Sequence, residues 1–182
     1  MSNLGRSLWL ALATPRRAQC AELGPCVTPF RVLPTDLDLL FHMNNAVYFQ
    51  VMDFARADWL FRSRVWQRLH KKKLHTVVAD ESISFRKSLT LGQAFDVATA
   101  VVGWDERAFF VEQRFLRRGE LWASAVVRMR ALTAKNLPVP TADVLPILDA
   151  ADAKSPPLPD WIGSWIQTQG ALRGAARPGR AA

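Results

Sequence analysis

The chain has 182 residues, 49% of them hydrophobic and 22% charged, with a formal net charge of +8. That length suits one domain, and the composition supports a packed core and excludes a disordered chain. The positive charge gathers at the chain ends and in Lys71, Lys72 and Lys73, with no zinc-finger spacing or RNA-binding aromatic signature, so a nucleic-acid partner is not expected.

Residues 1–25 read as a poorly specified leader. Within it the stretch Ser-Leu-Trp-Leu-Ala-Leu-Ala-Thr from Ser7 to Thr14 is too short to span a bilayer and is expected as a short amphipathic helix or a frayed lead-in. No run elsewhere approaches the length of a membrane span, so no stable membrane insertion is expected. Cys20 and Cys26, with three histidines in the chain, leave no zinc ligand set. The cysteines are expected as two ordinary thiols, in keeping with a reducing, cytoplasmic setting.

Residues 26–33 read as a strand, with Pro29 placing it at a sheet edge and Pro34 ending it. A loop then packs Asp36, Asp38, His42, Asn44 and Asn45 into ten residues. From Asn44 the pattern turns helical. Tyr48, Met52, Ala55 and Trp59 recur at helical spacing, and Val51, Phe54 and Leu60 widen the apolar stripe. Asn44 or Asn45 is a suitable N-cap, because an asparagine oxygen can accept from an orphan N–H of the first turn. Four strands follow, over 76–86, 93–103, 108–117 and 121–132. Each alternates apolar and polar positions, as in Phe95, Val97, Thr99 and Val101 or in Ala123, Ala125, Val127 and Met129. The short connectors make the last three antiparallel neighbours. The predicted architecture is α+β: one five-stranded antiparallel sheet against one long helix. A single helix covers so wide a sheet incompletely, and a homodimer joining two sheets edge to edge is the expected completion. Residues 26–135 form this domain. Residues 136–169 form an extension whose Trp161, Ile162, Trp165 and Ile166 predict a short helix packing on the domain, capped by Asp160. Residues 170–182 are expected to be disordered.

The loop cluster has the parts needed for thioester chemistry. N–H groups at a helix start can polarise a carbonyl, and a carboxylate can attack it or activate water. The element order and the residues together resemble the hotdog fold of acyl-thioester hydrolases, in which the sheet wraps around a central helix. Asp36-Leu37-Asp38, His42-Met43-Asn44-Asn45 and Tyr48 are similar to the signature of plant acyl-carrier-protein thioesterases and of bacterial 4-hydroxybenzoyl-CoA-type enzymes. Asp53-Phe54-Ala55-Arg56 resembles their central helix. Gly103-Trp104-Asp105-Glu106-Arg107-Ala108-Phe109 is similar to the animal thioesterase superfamily member 6 group.

By position, the resemblance implies Asp38 as the catalytic carboxylate and Asn45 as the source of the oxygen-polarising amide. His42 would orient Asp38 or serve as the base. Asn44, Tyr48, Ser82, Arg86 and Lys87 are candidate substrate-binding residues, the last two for the phosphates of coenzyme A. The implied substrate is an acyl-CoA or acyl-carrier-protein thioester, with no metal or other cofactor, and the implied assembly is a homodimer or a tetramer. Two alternatives stay open. A hotdog hydratase or dehydratase usually spaces its Asp and His by five residues with an intervening Asn-Pro, whereas His42 follows Asp38 by four. A non-catalytic acyl-thioester-binding scaffold is the other, because the plant enzymes have an Asn where this chain has Leu40 and a Glu near Arg86-Lys87-Ser88.

Overall fold

A computed structural model describes residues 3–175. Six strands form one antiparallel sheet: β1 (Cys26–Arg31), β2 (Leu74–Phe85), β3 (Ala94–Trp104), β4 (Phe109–Arg117), β5 (Glu120–Thr133) and the two-residue β6 (Pro138–Val139). Their order is β1-β3-β4-β5-β2, with β6 added to β5. The main helix, α2 (Asn45–Arg62), lies on the concave face. This is the hotdog arrangement the sequence led us to expect, with β6 as an addition.

The alternation of the strands explains the core. Tyr48, Val51, Met52, Ala55 and Trp59 of α2 pack into Phe95 and Val97 of β3, Val111 and Phe115 of β4, and Ala123, Ala125 and Val127 of β5. Each of these strand residues points to the helix because successive side chains in a strand alternate between faces. One inward position is polar. Gln113 of β4 is fully buried, accepts from Arg56 at 2.7 Å, and donates to the Met52 carbonyl at 3.0 Å and to Thr99 at 3.2 Å. Burial lowers the pKa of Arg56, opposed by the carboxylates of Asp53 and Glu81. Replacing Gln113 by the similarly sized Met should therefore destabilise the fold by about 2–3 kcal/mol, since a buried guanidinium, a carbonyl and a hydroxyl all lose a partner. Thermal denaturation of the two proteins measures this directly.

Both ends carry the short helices expected there, with additions beyond the sequence reading. The leader forms α1 (Asn3–Ala13), which runs beside α2. Its Arg6 is buried in an ion pair with Asp36, and Thr14, just beyond it, donates to Asp58 of α2. Cys20 and Cys26 are joined in a disulfide, correcting the expectation of two ordinary thiols. The segment between them turns back at Gly24, which has a φ of +83° and lies so close to β3 that a Cβ would stand 2.6 Å from the Thr99 carbonyl oxygen. Val101 donates to the Leu23 carbonyl and fixes that turn, leaving the two cysteine Cα atoms 5.6 Å apart, within bridging range.

At the other end, α3 (Val65–Lys71) precedes β2, and a short helix α4 (Thr141–Val144) follows β6. The last helix, α5 (Asp160–Ala175), buries Ile162 against Phe110 and Val126 on the convex face of the sheet. Asp160 stands in its first turn rather than before it. Residues 170–175, expected as disordered, continue this helix, and the rest of that predicted tail lies outside the described residues.

Candidate active site

The loop between β1 and α2 is shaped by its own acids. Asp36 is buried, accepts from Arg6 and takes the Leu33 N–H at 2.7 Å, tying the loop to α1 and to the end of β1. Asp38 Oδ1 accepts from the N–H groups of Leu40 at 2.8 Å and His42 at 3.1 Å, and its own N–H donates to the His42 carbonyl at 2.8 Å. This closes a tight five-residue turn with Phe41 in the left-handed region at φ +59°. Asn44 is the N-cap of α2, accepting from Ala46 at 2.9 Å. Asn45 is then the first helical residue, and its N–H has no helical carbonyl four residues back to donate to.

These elements enclose a cleft of about 140 Å³ lined by Asp38, His42, Met43, Asn45, Tyr48, Phe85, Lys87 and Ser88. The structure thus brings together five of the residues singled out in the sequence: Asp38, His42, Asn45, Tyr48 and Lys87. The hydrogen bonds that join Asp38 to His42 use the histidine's main chain. Tyr48 is buried at the cleft floor, where its hydroxyl accepts from the Leu89 N–H at 3.3 Å and its ring meets Phe85 and Phe115. Burial raises the Tyr48 pKa, against the opposing effect of that bond, so the phenol stays protonated at neutral pH. Lys87 at the rim pairs with Glu120.

The other candidates stand apart from the cleft lining. Asn44 caps the helix and faces a shallower depression beside Leu37, Asp38, Leu39 and Leu40. Ser82 is exposed on β2, and Arg86 follows that strand, its main chain bound to the Trp122 carbonyl. Ser88, Met43 and Phe85 line the cleft without having been singled out as site residues. Phe85 ends β2 and Ser88 follows Lys87 in the β2–β3 connection, and only the fold of that connection over the helix start makes them neighbours of Asp38.

The second motif, from Gly103 to Phe109, lies at the opposite end of the sheet and has a structural role. Asp105 accepts from the N–H groups of Arg107 and Ala108 to form the β3–β4 turn, and Thr141 donates to the Asp105 carbonyl. A Cβ on Gly103 would come within 2.6 Å of Leu158, so the glycine lets the C-terminal segment lie across the strand.

Comparison with known proteins agrees with this architecture. The thioesterase-like superfamily profile matches residues 32–166. Protein THEM6 of Danio rerio is 34% identical over 166 residues, covering 89% of this chain and 79% of the relative. Protein THEM6 of Xenopus laevis is 38% identical over 136 residues, or 75% of this chain, and the match spans only 64% of that relative's length. Among solved structures, the probable thioesterase YbaW of Escherichia coli superposes with a TM-score of 0.64 at 19% identity, over 69% of this chain and 97% of its own. The BH1999 gentisyl-coenzyme A thioesterase superposes with a TM-score of 0.57 at 20% identity, over 66% of this chain and 99% of its own. At such identities the two structures speak for the fold alone. The profile match and the extent of the Danio rerio relationship establish that the chain belongs to the thioesterase-like superfamily, in the group of the THEM6 proteins.

Proposed function

We propose that this protein hydrolyses an acyl-CoA or acyl-carrier-protein thioester in the cleft at the start of α2. The observation that carries the proposal is the convergence of one carboxylate, Asp38, with the free N–H of a helix start, Asn45, around the same small cleft. The thioester oxygen accepts from the Asn45 N–H, where the helix end offers partial positive charge to the developing oxyanion. Asp38 draws a proton from an attacking water, or attacks the carbonyl carbon to form an acyl anhydride that water then hydrolyses, and the thiolate leaves. Its Oδ1 is held by two loop N–H groups, so the carboxylate is oriented before substrate arrives, and Oδ2 takes no part in those bonds. His42 acts as a positioning residue, through the main-chain bonds that shape the Asp38 turn. Lys87 at the rim supplies a cation for the phosphates of coenzyme A.

The protein works as a homodimer. Among the described residues the outer edge of the 12-residue β2 has no neighbouring strand, and Val78 and Phe85 are 42% and 43% exposed on it. A second copy pairing along this edge satisfies its main-chain groups and covers Phe85, which also lines the cleft. The test is a panel of short, medium, long and aryl acyl-CoAs with a thiol-trapping dye, with loss of enoyl-CoA followed in parallel. Thiol release above background is expected on at least one class. Enoyl-CoA loss without thiol release would favour a hydratase, and tight binding without turnover a scaffold.

A further inference from the structure

The tip of the Asp38 turn is apolar and stands in solvent. Leu39, Leu40 and Phe41 are 97%, 73% and 77% exposed, with none of the described residues covering them. The neighbouring β2–β3 connection adds Leu91 at 55%, held beside the tip by the bridge between His42 and Thr90 and by the Met43 N–H donating to the Leu89 carbonyl. Single exposed leucines are ordinary, but three consecutive large apolar side chains at a projecting turn with a fourth alongside are not. The backbone adds a second anomaly. Phe41 occupies the left-handed region, where glycine or asparagine fits at lower cost. A bulky aromatic kept at a strained position facing water marks a surface that something contacts.

Two further features select the occupant. Three N–H groups of the turn are already satisfied from within: Leu40 and His42 donate to Asp38 Oδ1, and Phe41 donates to the Asp38 carbonyl at 3.1 Å. The tip can therefore enter an apolar medium without leaving these N–H groups unpaired, which is the principal cost of burying a loop in lipid. Basic residues stand at the same end of the sheet: Arg31, which donates to the Gly92 carbonyl, then Arg86 and Lys87 after β2, and Arg117 and Arg118 at the β4–β5 turn. The carboxylates there are Asp36, paired with Arg6, Asp38, Asp96 and Glu120, the last paired with Lys87. An apolar point within a cationic rim matches an anionic lipid surface, whose headgroups attract the rim while the point enters the acyl boundary.

We propose that Leu39, Leu40 and Phe41, with Leu91, form a wedge that docks this protein reversibly on anionic membranes. The wedge is the outer face of the turn whose inner face carries Asp38, so docking holds the mouth of the cleft at the bilayer surface. The docking is independent of the hydrolytic reading, because it is measured as binding and not as turnover.

The test is co-sedimentation of the full chain with vesicles of phosphatidylcholine alone and of phosphatidylcholine mixed with phosphatidylserine, at low and at high salt. The wild type is expected to partition at least about tenfold more strongly onto the anionic vesicles at low salt, and to lose most of that advantage at high salt. The triple replacement Leu39→Ser, Leu40→Ser, Phe41→Ser is expected to weaken partition about tenfold or more. Phe41→Gly serves as the second variant, because it relieves the backbone and so folds at least as well, and it is expected to weaken partition about threefold. Arg31→Gln with Arg118→Gln should weaken binding to the anionic vesicles and leave the weak binding to neutral ones unchanged. Unaltered anionic binding in Phe41→Gly and the triple variant would overturn the proposal. So would failure of the wild type to bind, or a change in sedimentation coefficient in the triple variant with vesicle binding retained, which would assign the tip to a contact with a second copy.

Discussion

Replacing Asp38 by Asn should lower kcat/KM for the preferred thioester by about 10²- to 10⁴-fold, the range expected for loss of a positioned acid–base or nucleophilic group. The choice of Asn is what makes the measurement informative. Asp38 has two duties that can be separated chemically. Its Oδ1 holds the turn by accepting from Leu40 and His42, and the amide oxygen of Asn can accept the same two bonds. Its negative charge is needed only for attack or proton transfer, and Asn lacks it. The Asn variant should thus melt within about 1 kcal/mol of the wild type while losing turnover. Asp38→Ala should lose both, because two loop N–H groups are then left without an acceptor. Equal activity in wild type and Asp38→Asn would move the chemistry away from this carboxylate.

The largest stability effect is expected at Asp58, well away from the cleft. Its carboxylate is fully buried and accepts from Thr14 at 2.6 Å, Thr28 at 2.7 Å, Arg62 at 2.9 Å and Arg17 at 3.1 Å. It is the point at which the segment after α1, β1 and α2 are tied together. Asp58→Ala leaves Arg62 and Arg17 without their carboxylate, a change that costs about 3–5 kcal/mol when a buried pair is broken. For a chain of this size that corresponds to a fall in Tm of roughly 10 °C or more. Burial alone would raise the Asp58 pKa, but the bonds from Thr14, Thr28 and Arg62 and the charge of Arg17 together outweigh it and hold the carboxyl below the ordinary value. A depressed folded-state pKa means the contribution is complete above the unfolded value of about 3.9 and is lost as pH falls through the lower folded one. Thermal melts should accordingly show the gap between wild type and Asp58→Ala open at neutral pH and narrowing in strong acid. A constant gap would mean that packing, and not the charge, is what Asp58 supplies.

Much of the fold was legible because strands and the main helix repeat their apolar residues with a fixed period. Phe95 and Val97, or Ala123, Ala125 and Val127, announce an inward face before any partner is known, and Tyr48, Met52, Ala55 and Trp59 do so for α2. Gln113 was illegible on the same logic. It occupies an inward position of β4, and only the arrival of Arg56 and the Met52 carbonyl from the helix gives a buried amide its partners. A short helix over residues 7–14 was one of the expected readings of the leader, but its docking was unreadable for a related reason. Nothing in residues 1–25 repeats strongly, and α1 is held by Arg6 to Asp36 and Thr14 to Asp58, pairs that are 30 and 44 residues apart. The disulfide belongs to the same class, since it depends on Gly24 lying against β3.

The candidate site divides the same way. Asp38, His42, Asn44 and Asn45 are neighbours in the chain, so their grouping and the capping role of an asparagine follow from local chemistry alone, as does the turn that Asp38 closes on itself. What the tertiary structure decided is which distant residues join them. Order β1-β3-β4-β5-β2 sends the chain from the end of β2 across to β3, and that crossing carries Phe85, Lys87 and Ser88 over the start of α2 while leaving Ser82 and Arg86 outside the cleft. The same crossing sets Leu91 beside Leu39, Leu40 and Phe41. Spacing along a chain encodes periodicity and local hydrogen bonds. It does not encode which strand a β2 will choose as its neighbour, because that choice rests on the burial of the whole sheet against one helix.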